Sequence, residues 1–172
     1  SVQDMQSLAT STSVRQVLNA AYQHLFFDVS AATTRFMEME IPISDLEVKQ
    51  VLGEGNYGVV RLGLIKSSNT PVAIKSVKPL APLAEQQKII VEAMLMTKLQ
   101  HKNLVRLVGI CSRVNPFLIV IEFMKNGSLL GYLEKQSQVL EGKDFIDISC
   151  QIADAMRFLE SHKIVHRDLA AR

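Results

Sequence analysis

The sequence predicts an α+β fold, a five-stranded antiparallel sheet carrying one helix and followed by the first helices of a second region. Short apolar, partly β-branched runs bounded by glycine, asparagine, serine or proline recur after Pro42, which is the pattern of strands. A single segment of helical period interrupts them, and beyond Asn126 the apolar period turns helical through His162.

Taken in order, residues 1–13 are rich in small hydroxyl side chains and lack apolar periodicity, which reads as a flexible lead-in. Val14, Val17, Leu18, Ala21, Tyr22, Leu25 and Phe26 then share one face of a 3.6-residue period, so a short amphipathic helix is expected. Strands are expected over Leu46 to Leu52, Val59 to Ile65 and Val72 to Val77, the first two joined by a glycine-rich turn. Leu83 to Leu99 has Ile89, Ile90, Ala93, Met94, Met96 and Leu99 at helical spacing, with Glu and Gln near its start. Two further strands are expected over Leu104 to Ile110 and Phe117 to Glu122. Asn126-Gly127-Ser128 offers a turn and an N-cap for a short helix, and Lys143 to His162 a longer one with Phe145, Ile148, Ile152, Ala155, Met156 and Leu159 on one face. The division is a lead-in over 1–44, a sheet-and-helix lobe over 45–125 and the start of a helical lobe over 126–172.

Composition bounds the function. With 48% apolar and 21% charged residues the 172-residue chain is globular, and its net charge of +2 comes from scattered side chains, so no nucleic-acid footprint exists. Cys111 and Cys150 lie in apolar runs without a partner at ligand spacing, which predicts two buried reduced thiols. No run of about 18 apolar residues and no secretory signal is present. His101 and His162 have no second ligand at i+3 or i+4, so side-chain metal coordination is not expected.

Gly53-Glu54-Gly55-Asn56-Tyr57-Gly58-Val59-Val60 is a G-x-G-x-x-G-x-V run between two strands, where missing side chains let backbone N–H groups approach a polyphosphate. A strand rather than a helix follows, so the dinucleotide reading loses its geometry, while a plain tight turn stays open. Lys75 closes the strand Val72-Ala73-Ile74-Lys75, either ending it in solvent or pairing with phosphates. Glu92 lies mid-helix among apolar neighbours, either on a solvated face or as the carboxylate that such a lysine needs. Ile164-Val165-His166-Arg167-Asp168 puts a carboxylate beyond a short apolar strand, as a surface turn or as a group that accepts a proton from an attacking hydroxyl.

These motifs, in this order across roughly residues 45 to 172, resemble the catalytic domain of protein kinases, and within them tyrosine kinases. The resemblance implies a kinase small lobe of five strands and one helix, then the first helices of the large lobe. It implies ATP and Mg2+ as cofactors and tyrosine-containing proteins as substrates. It also implies a nucleotide site of Leu52, Gly53, Glu54, Gly55, Asn56, Tyr57, Gly58, Val60, Ala73, Lys75, Ile121, Glu122 and Met124. In it Val60 and Ala73 roof the adenine, the backbones of Glu122 and Met124 bond its edge, and Ile121 is the gatekeeper. Lys75 paired with Glu92 orients the α- and β-phosphates, and Asp168 is the catalytic base, with Arg172 beside it in the catalytic loop. Met96 and Leu107, with His166, match the family's apolar regulatory column.

Leu169-Ala170-Ala171-Arg172 looks like the tyrosine-kinase stretch after His-Arg-Asp, since serine/threonine kinases place a lysine where Ala170 stands. Glu40-Ile41-Pro42 with Asp45-Leu46 looks like the lead-in of many receptor tyrosine kinases, and Tyr22 is either a phosphorylation site ahead of the domain or a packing residue. The resemblance implies a cytoplasmic protein, or one on the cytoplasmic side of a membrane, anchored only through an upstream segment. The magnesium-binding asparagine and Asp-Phe-Gly of the family are expected beyond Arg172, so residues 1–172 alone are expected to lack phosphotransfer activity and to expose the apolar face of the long helix. The alternative is a non-catalytic truncated kinase that acts as an interaction module.

Overall fold

The computed structural model describes residues 36–55, 58–78, 81–136 and 139–172. The expected amphipathic helix, Tyr22, Asn56 and Tyr57 lie outside them. The chain divides into two compact units: the described residues up to Lys98 with Arg106–Phe123, and Leu99–Val105 with Met124–Arg172.

The first unit is built on β1 (Leu46–Glu54), β2 (Gly58–Ile65), β3 (Thr70–Val77), β4 (Leu107–Cys111) and β5 (Leu118–Glu122). They form one sheet in the order β1-β2-β3-β5-β4, and every neighbouring pair is antiparallel. Helix α1 (Leu83–Lys98) links β3 to the far edge strand β4, and β5 returns to fill the gap between them. Val72 and Ile74 put β3 at the centre because both are almost wholly buried, whereas β1 is an edge whose Val48 and Val51 are half exposed.

Side chains alternate across a pleated sheet, so each face has its own core. Val72, Ile74, Val120 and Leu46 pack with Cys111 on one face. Val77, Ile119, Leu107 and Ile110 pack with Ile89, Ile90, Ala93 and Met94 of α1 in the other cluster. The two expected later strands start late for a physical reason. Leu104 donates its amide to the His101 carbonyl at 3.0 Å in a turn, so β4 begins at Leu107, and the Phe117 ring is committed to a stack with Phe36 just before β5.

In the second unit, Gly127 takes φ +74°, a conformation glycine adopts without strain, and Ser128 Oγ accepts the Gly131 amide at 3.2 Å to cap α2 (Leu129–Gln136). Helix α3 (Gly142–Ser161) opens with a capping box between Glu141 and Asp144. Ala155 and Leu159 of its apolar face are buried, while Phe145 is 47% exposed, as the sequence pattern anticipates for that face.

Two expectations are corrected here. Ile164 and Val165 form no strand: α3 ends in a Schellman motif, with Lys163 at φ +58°, its amide on the Glu160 carbonyl and the Ile164 amide on the Leu159 carbonyl. Ile164 is spent on closing the helix, and Val165 is 75% exposed. Cys111 is buried and free as expected, but Cys150 is exposed. It sits two residues from Ile148, about 200° around the helix and thus on the opposite side.

Candidate active site

Cross-strand partners share a face, and this register assembles one set of predicted residues. Val60 pairs with Lys75, and Leu62 with Ala73. Ala73 in turn pairs with Ile121, and Lys75 with Ile119. Val60, Ala73, Lys75 and Ile121 therefore lie on one side of the sheet, although up to 61 positions separate them (121 − 60 = 61). Gly53 pairs with Val60 and brings the glycine turn to the end of the same surface.

The turn is held by the Gly55 amide, which donates to the Gly58 carbonyl at 2.9 Å. Among the described residues, a Cβ at Gly53 would meet nothing within 4 Å, and one at Gly55 only the Gly58 carbonyl at 4.0 Å. The space over this backbone is open, which fits close approach by a polyphosphate. Glu54 turns its carboxylate to Lys78 Nζ at 2.8 Å, and that hydrogen bond and charge hold its pKa below the ordinary range. Its contribution to a nucleotide is thus left to its backbone. Lys78 ties the end of β1 to the end of β3, a role the sequence reading missed because a surface lysine after a strand carries no distinctive signal. Leu52 is 46% exposed on the same hairpin.

Lys75 Nζ lies 2.6 Å from both carboxylate oxygens of Glu92, which α1 presents to β3. The side chains are 35% and 44% exposed, so the pair contributes only about 0.2–1 kcal/mol to stability. Its value is positional: a carboxylate holding an ammonium on a sheet face where a second anion can reach it. Glu122 donates its amide to the Arg106 carbonyl at 3.1 Å and accepts the Arg106 amide on Oε1 at 2.8 Å, which fixes the end of β5.

The chain passes into the second unit between Phe123 and Met124. Met124 is half exposed, and its carbonyl accepts the Gly127 amide at 3.0 Å. Asp168 lies in an irregular segment where Arg167 has φ +66°. Arg172 Nη2 is 2.5 Å from Asp168 Oδ1, and the Asp168 amide donates to His166 Nδ1 at 3.3 Å. Asp168 and Arg172 are thus brought together as their sequence proximity allows, with the carboxylate largely open to solvent.

Asp154 is a second organising residue that sequence reasoning missed. It receives His101 Nε2 at 3.3 Å, Asn103 Nδ2 at 3.2 Å and Arg157 Nη2 at 3.0 Å, with Lys102 Nζ at 3.6 Å. The Arg157 hydrogen bond lowers its pKa most; burial opposes it, and the charges of Lys102, His101 and Arg157 add smaller lowering effects. His101 Nδ1 accepts the Asn103 amide, which leaves Nε2 to donate, and the His101 ring stacks on Phe158 of α3 at 4.8 Å. That anchoring explains why Leu99–Val105, which the sequence division assigns to the first lobe, clusters with the second unit. Among the described residues no group of three or more His, Cys, Asp or Glu is placed to hold a metal ion, and no helix is long and apolar enough to cross a membrane.

The sequence model of the family described as "Protein tyrosine and serine/threonine kinase" matches residues 46–172. The chain belongs to that kinase family. Relatives point to its tyrosine-specific side: the chain is 44% identical over 135 residues to "Tyrosine protein-kinase src-1" of Caenorhabditis elegans, covering 77% of this chain and 24% of the relative. Against "Tyrosine-protein kinase Btk" of Drosophila melanogaster the identity is 43% over 135 residues, 77% of this chain and 17% of the relative. Against "Tyrosine-protein kinase transforming protein Abl" of Abelson murine leukemia virus it is 37% over 145 residues, 84% and 19%. The chain thus spans less than a quarter of the length of these kinases. As a kinase-family member it has the expected small-lobe architecture, with Met96 and Leu107 packed in the cluster beneath α1.

Proposed function

We propose that the protein is a tyrosine kinase that transfers the γ-phosphoryl group of ATP to a tyrosine hydroxyl of protein substrates. The bidentate Lys75–Glu92 pair, set on the same sheet face as Val60, Ala73 and Ile121, carries this reading. Lys75 binds the α- and β-phosphates, the amides of the glycine turn cover them, and Val60 and Ala73 lie against the adenine, whose edge is met by the backbones of Glu122 and Met124. In the transfer, Asp168 accepts the tyrosine hydroxyl proton, the phenolic oxygen bonds the γ-phosphorus, and the bond from that phosphorus to the β,γ-bridging oxygen breaks to release ADP. Arg172 orients the Asp168 carboxylate.

Magnesium, when bound, neutralises charge on the transferred group. The described residues offer no cluster that fits it, and the asparagine and Asp-Phe-Gly that the family uses are not among residues 1–172. Transfer is therefore expected from a chain that also carries them. Alanine at position 170, where serine/threonine kinases place lysine, supports a tyrosine acceptor, as do the names of the relatives. Free cysteines at 111 and 150 suit a cytoplasmic protein or one on the cytoplasmic face of a membrane.

The test is phosphorylation by the full-length protein of a peptide with a single tyrosine, beside its serine counterpart. Phosphotyrosine formation that is abolished by Asp168→Asn is expected. Transfer to serine alone, or none to either peptide, would overturn the reading.

A further inference from the structure

The family match begins at residue 46, but the packing of this unit begins earlier. Phe36 is fully buried, in the same cluster as Ile89, Ile90, Ala93 and Met94 of α1 and Leu107 and Ile110 of β4. Its ring lies parallel to that of Phe117 at 6.2 Å. From there the chain runs alongside β4 as a strap. Ile110 donates its amide to the Met39 carbonyl at 2.9 Å, Ile41 donates to the Ile110 carbonyl at 2.7 Å, and Glu40 bridges Ile110 in parallel. The Glu40 carboxylate accepts the Ser112 amide at 3.1 Å on each oxygen. Gly109 makes room for the strap: a Cβ there would collide with the Ile41 side chain and lie 2.7 Å from the Met39 carbonyl.

We propose that Phe36 is a positioning residue for the phosphotransfer site. It anchors the strap of residues 36–41 beneath α1 and so holds Glu92 at Lys75. Helix α1 is tied to the sheet by its buried positions, Ile89, Ile90, Ala93, Met94 and Thr97, because the half-exposed ion pair is too weak to hold a helix in place. Phe36 is the largest of the fully buried side chains, so truncating it removes packing from the cluster on which α1 rests. Loss of that support frees α1 and lengthens the distance from Glu92 to Lys75. The inference rests on the proposed kinase function.

The experiment is a double-mutant cycle, reading equilibrium binding of a fluorescent ATP analogue to the full-length protein, with thermal melting in parallel. Phe36→Ala is expected to weaken binding by about tenfold, Phe36→Leu to restore most of it, and Phe36→Ala added to Glu92→Gln to cost less than about twofold more. Equal effects in both backgrounds, or none in either, would show that Phe36 contributes stability only and would overturn the proposal. Where Phe36→Ala does not fold, the smaller truncation Phe36→Val enters the cycle in its place, and Phe36→Leu stays the near-silent control. Should the unaltered protein bind no nucleotide, the kinase reading fails, and hydrogen exchange still decides the anchoring. Faster exchange confined to the α1 amides in Phe36→Ala, or in Phe36→Val where the alanine variant does not fold, supports it, and unchanged exchange there overturns it.

Discussion

The Lys75 ammonium is shared evenly by the two carboxylate oxygens of Glu92, at 2.6 Å each, across the 17 positions that separate them in the chain. A symmetric contact of this kind fixes where the lysine head group points while adding little to stability, since both side chains are partly solvated. Function and stability should therefore separate at this pair.

Glu92→Gln is expected to lower phosphoryl transfer by about 100-fold or more, by loss of a fixed positive charge at the phosphates. Its melting temperature should move by no more than a change of about 1 kcal/mol produces. Steady-state kinetics beside a thermal melt checks both halves.

Gly53→Ala and Gly55→Ala add a methyl group into open space. Folding stability should hold to within about 0.5 kcal/mol, because among the described residues the added atoms come no closer than 4.0 Å to a neighbour. Nucleotide affinity should fall, because the methyl group occupies the approach to the backbone amides. Calorimetric titration with ATP together with denaturant unfolding separates the two effects.

Burial, with the Glu40 carboxylate adding to it, pushes the Cys111 thiol up to about 11 from an ordinary value of 9.0. At pH 8 roughly one molecule in a thousand carries the reactive thiolate there, so iodoacetamide should label the exposed Cys150 and spare Cys111 in the native protein. The raised value favours the folded state fully below pH 9.0, and that stability is lost as pH rises toward 11. Replacing Cys111 by alanine should flatten this alkaline decline, which melting between pH 8 and about 11 records.

Asp154 has the opposite sign. Its carboxyl titrates below the ordinary 3.8, chiefly through the Arg157 hydrogen bond, so the stability it adds is present above that value and lost as pH falls through the lowered one. Asp154→Asn should melt a few degrees lower than the parent near neutral pH and converge with it in acid. A melting series from pH 7 down to about 3 tests this. An unchanged gap across the series would assign the loss to hydrogen-bond geometry instead.

Much of the fold was legible because strand and helix periods are local. Val72 to Val77, Leu118 to Glu122 and the long helix with its Ile148, Ile152, Ala155 and Leu159 stripe announce themselves within a dozen residues. The reading failed where tertiary demand reassigned an apolar residue: Ile164 closes a helix instead of starting a strand, and Leu104 serves a turn. Cys150 departs from expectation because the apolar run around it is buried on one side of the helix only.

Which groups are available is written in the chain: a glycine turn between strands, a strand lysine, a helix glutamate and an aspartate after His-Arg, in an order shared with kinases. Their company comes from long-range packing. Sheet register sets Val60, Ala73, Lys75 and Ile121 on one face, the Glu54–Lys78 bridge closes the first hairpin, and Asp154 gathers His101, Asn103 and Arg157. Phe36 is the sharpest case. Its neighbours in sequence resemble a lead-in, and nothing local distinguishes it from an aromatic residue of a solvent-facing segment. It becomes core because strand pairing along β4 carries it under α1, and such pairing is a long-range choice that no local period encodes.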